Sequence, residues 1–193
     1  MIRNRLRNIC VYCGSNAGGR EDYADSARKL AAELVARDLG LIYGGSSTGI
    51  MGVLADAVLE AGGQVRGIMP RALVHKEIAH GGLTELRVTG TMHERKAMMA
   101  EMSDGFIALP GGFGTLEEIV EILTWGQLQL HEKPCGLLNV AGYYDHLLRF
   151  VAHAEEEGFL DPQHKEMLLV ANDPSELLDK FESYRAPKVQ KWS

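Results

Sequence analysis

Two glycine-rich turns, one arginine and one glutamate carry the chemistry this sequence suggests. The turns are Tyr43-Gly44-Gly45-Ser46-Ser47-Thr48-Gly49 and Leu109-Pro110-Gly111-Gly112-Phe113-Gly114-Thr115. Each joins a short apolar run to a segment of helical period. Glycine at such a junction lets backbone N–H groups approach an anion, and the following helix N-terminus adds positive potential. A phosphate held this way needs no lysine. Neither turn closes on the Gly-Lys-Ser/Thr of a Walker loop. Neither is the Gly-x-Gly-x-x-Gly fingerprint of nicotinamide enzymes, and no acidic residue ends the next strand to read a ribose. Tight turns without a ligand remain the plain alternative.

The arginine is Arg95, in Thr91-Met92-His93-Glu94-Arg95-Lys96. At about 100° per residue, with Arg95 at zero, Met99 falls at about +40°, Met92 at about +60°, Met102 at about −20° and Met98 at about −60°. A guanidinium in a methionine stripe costs free energy unless it is paired. Lys96 lies at the rim, at about +100°. Arg95 therefore reads either as an anion or substrate contact or as a structural ion pair. The same arithmetic turns Glu118 inward beside Thr115, Ile122 and Trp125, while Glu117 shares the outer face with Glu121. A carboxylate one turn from a phosphate cradle suits acid/base work or stabilisation of developing positive charge. Thr115-x-x-Glu118 also has the spacing of a capping box, which would give Glu118 a purely local partner.

Other residues offer less. Cys10 and Cys13 have redox spacing but lie within a predicted strand, where odd spacing sends them to opposite faces. His75 and His80 lack the flanks of a zinc helix, and there is no Gly-x-Ser-x-Gly elbow. Neither a metal nor a cofactor is called for.

The elements that must position these groups alternate along the chain. Strands are predicted at 9–13, 41–43, 65–69, 83–88, 106–109, 135–140 and 167–170. Helices are predicted at 23–37, 49–61, 91–103, 115–128, 143–157 and 174–184, with 71–82 ambiguous and holding at most a short helix. Such alternation implies right-handed crossovers and a parallel sheet covered on both faces. The expected fold is a single doubly wound, Rossmann-like α/β domain over residues 1–193, with about seven mostly parallel strands and mobile ends at 1–7 and 186–193. Ligands then bind where strands run into helices, which directs attention to 14–16 (with Ser15), 44–49 and 110–115.

Composition agrees. Twenty-two glycines in 193 residues are about 11%, against about 7% in average usage, and ten of them form doublets at 18–19, 44–45, 62–63, 81–82 and 111–112. With 46% hydrophobic residues and no Gly-X-Y period, neither collagen nor a disordered linker fits. A net charge of −6 argues against a nucleic-acid binder. Arg3, Arg5 and Arg7, like Lys188 and Lys191, read as solvated ends. No apolar run is long enough to cross a membrane, and no secretory signal follows the arginines. Three cysteines suit a reducing compartment, so a cytoplasmic protein is expected.

Pro110-Gly-Gly-Phe-Gly-Thr-Leu-Glu-Glu118, preceded by Met92-His-Glu-Arg-Lys96, resembles the LONELY GUY family of phosphoribohydrolases, whose Pro-Gly-Gly-x-Gly-Thr-x-x-Glu motif is matched at every fixed position. The likeness extends from Cys13-Gly14-Ser15 through Tyr43-Gly44-Gly45 to Thr124-Trp125 and Lys133-Pro134. It implies hydrolysis of the N-glycosidic bond of AMP or N6-isoprenylated AMP, giving free base and ribose 5-phosphate. It also implies Arg95 and Glu118 as catalytic residues, with phosphate on Gly111, Gly112, Phe113, Gly114 and Thr115. Ser15, Gly44, Gly45, Glu77, Met92, Lys96 and Thr124 would lie near the ligand. A homodimer with its contact near the Trp125 helix is implied as well. A contrasting reading is a non-catalytic nucleotide or molybdenum-cofactor carrier that uses the same turns. A carrier has no need of both an inward arginine and an inward glutamate. Members of the family have also been labelled lysine decarboxylases, but nothing here marks a pyridoxal-phosphate lysine.

Overall fold

The computed structural model describes residues 6–74 and 79–187. Seven strands form one sheet: β1 (Asn8–Tyr12), β2 (Gly40–Tyr43), β3 (Val65–Pro70), β4 (Glu85–Thr89), β5 (Gly105–Ala108), β6 (Cys135–Leu138) and β7 (Leu168–Ala171). Their order is β4-β3-β2-β1-β5-β6-β7, and every pairing is parallel. The helices are α1 (Glu21–Ala36), α2 (Gly49–Glu60), α3 (Arg71–Val74), α4 (Met92–Met102), α5 (Phe113–Gln127), α6 (Asp145–Glu156), α7 (Pro162–Lys165) and α8 (Pro174–Ser183). The expected doubly wound architecture is what the chain adopts.

A parallel sheet is buried on both faces, so its strands need apolar residues at successive positions. In β1, Ile9 and Val11 join Leu30 and Leu34 of α1, Leu54 and Val58 of α2, and Leu177 and Phe181 of α8. Cys10 and Tyr12 face the other way, onto Met99 of α4 and Ile119 and Ile122 of α5. The two thiols part as their spacing predicts: Cys13 lies in the first core layer and Cys10 in the second.

Strand order is what creates a site. From β1 the chain winds outward through β2, β3 and β4, then crosses back and resumes at β5 on the other side of β1. The connections leaving β1 and β5 therefore go to opposite faces, and a crevice opens between them at the strands' carboxyl ends.

Element boundaries shift at informative places. α5 begins at Phe113, two residues before the expected start, with Gly112 as its N-cap. Thr115 is thus inside the first turn, and the capping box proposed for Thr115 and Glu118 does not form. The real side-chain cap of this kind is on α4: Thr91 accepts from the Glu94 N–H, and Glu94 reaches back to the Gly90 N–H. The strand expected at 135–140 ends at Leu138. A 3-10 turn, Val140–Gly142, follows with Ala141 and Gly142 both at positive φ, and α6 starts only at Asp145. The four-residue α7, capped by Asp161, is too short to show a period. At the N-terminal side, Leu6 packs on the core and the Arg7 N–H donates to Asp104.

Candidate active site

A cleft of about 390 Å³ occupies the crevice. One wall is the β1–α1 loop from Cys13 to Gly18, and the other is the turn Pro110–Thr115 at the head of α5. Arg95 and Glu118 lie between them with Ile50 and Met51 of α2, and Tyr23 and Tyr143 close the remaining side.

Arg95 and Glu118 come from different helices and meet. Arg95 Nη1 donates to Glu118 Oε1 at 2.9 Å, and Arg95 Nε donates to the Ile68 carbonyl at the same distance. Both side chains are largely removed from water, at 10% and 13% exposed. The guanidinium fits because residue 44 has no side chain: a Cβ there would lie 2.5 Å from Arg95 Nη2. Burial pushes the Glu118 carboxyl above its ordinary value, against the pull of the Arg95 charge. A half-dry carboxylate held by one arginine is costly in the resting protein and correspondingly strong toward positive charge arising beside it. The methionine stripe is partly realised. Met99 is fully buried and Met98 and Met102 half-buried, while Met92, in the first turn, is exposed.

The second glycine turn has the features of an anion cradle. Its N-cap, Gly112, has no side chain to satisfy the first N–H groups of α5, and those groups have no acceptor inside the helix. Gly111 is packed too closely for any other residue, since a Cβ would lie 2.1 Å from Thr115 Oγ1. The 15-residue α5 directs the positive end of its dipole into the cleft. Cys13 also reaches the wall, but burial pushes its thiol far above the ordinary range, so it stays neutral and unreactive.

Of the residues expected near a ligand, Ser15, Arg95, Gly111, Gly112, Phe113, Gly114, Thr115 and Glu118 line this cleft together. Gly44 and Gly45 do not. Gly44 backs onto Arg95, and Gly45 packs on Met69 and Leu86. Met92 is exposed on the first turn of α4. Lys96 is held by Glu117 at 2.6 Å and Glu121 at 3.0 Å. Thr124 bonds the Val120 carbonyl of its own helix. Glu77 and His75 lie outside the described residues. His80 is bonded to Asp56. Residues that spacing alone did not single out include Asn16, Gly18, Met51, Tyr23 and Tyr143. Gly18, taken as an ordinary loop turn, lines the cleft at φ +77°. Among the described residues no cluster of His, Cys, Asp or Glu is arranged to hold a metal ion, and no helix is long and apolar enough to cross a membrane.

Comparison with known proteins adds names to this geometry. The family model described as "Possible lysine decarboxylase" matches residues 51–181. The cytokinin riboside 5′-monophosphate phosphoribohydrolase LOG5 of Arabidopsis thaliana is 50% identical over 185 residues, 96% of this chain and 81% of that protein. A probable enzyme of the same description from rice, LOGL9, is 51% identical over 182 residues, 94% of this chain and 80% of its own length. Among solved structures, the molybdenum cofactor binding protein of Rippkaea orientalis superposes with a TM-score of 0.70 at 23% identity, covering 93% of this chain and 97% of that one. The molybdenum cofactor carrier protein of Chlamydomonas reinhardtii gives 0.68, also at 23% identity, covering 91% of this chain and all of that one. At that identity the two structures establish a shared fold and no more.

Proposed function

The chain belongs to the LONELY GUY family of phosphoribohydrolases, and on that premise we propose that it hydrolyses the N-glycosidic bond of AMP or its N6-isoprenylated forms. The observation that carries this reading is the Arg95–Glu118 pair, buried one helical turn from an uncapped, glycine-lined helix N-terminus in the same cleft.

In the proposed reaction the 5′-phosphate sits on Gly111–Thr115, which fixes the ribose and turns binding energy into orientation. The C1′–N bond then breaks with its electron pair leaving on the base, and water adds to C1′. Positive charge grows on the ribose before water bonds, as in glycoside hydrolysis generally. The Glu118 carboxylate faces that charge and orients the water. Arg95 touches Glu118 directly and keeps it ionised and aimed. The products are a free base and ribose 5-phosphate.

The decarboxylase description fits these residues poorly. No lysine lines the cleft, and Lys96 on α4 is bound by two carboxylates. A carrier reading would leave the ion pair without a task.

Purified protein incubated with AMP and with isopentenyladenosine monophosphate should release base from at least one of them. Binding of both without release would overturn the proposal. We place the reaction in the cytoplasm, supported by three buried, unbridged cysteines. We also propose a homodimer through the outer face of α5, where Val120 and Leu128 are exposed along one stripe with Thr124. Light scattering at the mass of one chain would exclude it.

A further inference from the structure

Four successive carbonyls of the anion turn are each occupied by a donor. The Leu109 oxygen accepts from the Tyr144 hydroxyl at 2.6 Å, and the Pro110 oxygen from the Gly14 N–H at 3.1 Å. The Gly111 oxygen accepts from the Tyr143 hydroxyl at 2.6 Å, and the Gly112 oxygen from the Leu116 N–H at 3.1 Å. Two of these bonds belong to the backbone. The other two come from adjacent phenols on a separate part of the chain, and they are the shortest of the four.

From these bonds we infer that Tyr143 and Tyr144 are positioning residues that set the polarity of the phosphate cradle. A peptide unit is planar, with its C=O and the following N–H pointing in opposite directions. Holding the Gly111 carbonyl therefore also fixes the direction of the Gly112 N–H. Glycine makes this restraint necessary. Gly111 and Gly112 have little intrinsic preference between peptide orientations, and a flip would bring a carbonyl dipole to the place where the anion's charge must sit.

The tyrosines are themselves held by a turn with little freedom. The Asn139 carboxamide accepts from the Tyr144 N–H at 2.7 Å and donates to Asp145 at 2.8 Å. Ala141 and Gly142, both at positive φ, reverse the chain between β6 and α6. The Tyr143 ring stands edge-on to Tyr23 and Tyr144, with centroids 5.6 and 5.0 Å away. Tyr144 is fully buried, whereas Tyr143 is 41% exposed and lines the cleft. Its hydroxyl can therefore be removed with little risk to the fold.

This inference rests on the phosphate site proposed above. Its test uses Tyr143→Phe in the full chain, with ribose 5-phosphate as the probe in calorimetric titration. The Kd for ribose 5-phosphate should rise about tenfold, the worth of one ordinary hydrogen bond. The Kd for adenosine, which has no phosphate, should change less than about twofold, and the KM for AMP should rise more than kcat falls. Tyr144→Phe should move the ribose 5-phosphate Kd in the same direction, with a lower Tm because the Leu109 carbonyl loses its donor in the interior. An unchanged ribose 5-phosphate Kd in Tyr143→Phe, or equal weakening toward adenosine, would overturn the clamp. The titration needs no turnover. If the wild-type protein released no base from AMP, the proposed activity would fail while the effect of the phenol on phosphate binding could still be read.

Discussion

Replacing Glu118 with glutamine should lower kcat/KM for AMP by about 10³-fold in a protein that still folds. Glutamine keeps an oxygen where Arg95 Nη1 donates at 2.9 Å, and it keeps the volume of the side chain, so α4 and α5 stay joined. What it removes is the negative charge that faces the developing cation. The pH dependence separates this from a packing defect. Burial raises the Glu118 pKa above the ordinary carboxylate value, and the ionised form is the working one. The acid limb of the wild-type kcat/KM profile should therefore lie above that value and be missing from the residual activity of the variant. Stability moves the other way. A carboxyl whose folded pKa is raised favours the folded state when protonated, and that contribution is lost as pH rises through the raised value. Glutamine does not titrate, so the Tm of the variant relative to wild type should improve from about pH 4 to pH 7. Adenine release and thermal melts across that range decide the matter. Retained activity, or an acid limb at the ordinary carboxylate position, would remove Glu118 from the chemistry.

Periodicity was enough to place seven strands and most of the helices, because a doubly wound sheet needs long apolar runs separated by helical stripes. It was not enough to rank the turns. The Gly44-Gly45 and Gly111-Gly112 turns look alike in sequence, and both end strands at the ligand edge. They differ because β2 lies inside one outward run of strands, whereas β1 and β5 flank the point where the winding reverses. That order is a long-range property, and no local window contains it. Gly44 still serves the site, but from behind, by leaving room for the Arg95 guanidinium. Glu118 shows a different kind of ambiguity. A glutamate three residues after a threonine satisfies both a cap and an inward-facing position. Only the N-cap at Gly112, which starts α5 two residues early, decides between them. Tyr143 carried no signal at all, since an aromatic residue beside a helix start reads as core.

Arg95→Ala should lose at least about 10²-fold in kcat/KM and should also cost stability, which Glu118→Gln should do far less. The difference follows from which partner is left behind. Glu118→Gln leaves a buried arginine with a neutral acceptor and the Ile68 carbonyl still bonded. Arg95→Ala leaves a carboxylate without its counter-charge and a backbone carbonyl without its donor. Removing one member of a buried pair typically costs about 3–5 kcal/mol, lowered here to the extent that Glu118 takes up a proton or reaches the water in the cleft. Protonation would itself silence the site, because a neutral carboxyl cannot stabilise an oxocarbenium-like ribose. The double variant Arg95→Ala/Glu118→Gln separates the two effects. With no unpaired charge in the cleft, it should melt at a higher temperature than Arg95→Ala alone. Its activity should be little worse than that of the weaker single variant, because residues that act as one unit lose their contribution together. Activity losses that multiplied in the double variant would show that Arg95 and Glu118 work independently. The role of Arg95 would then be direct contact with substrate, not control of the carboxylate.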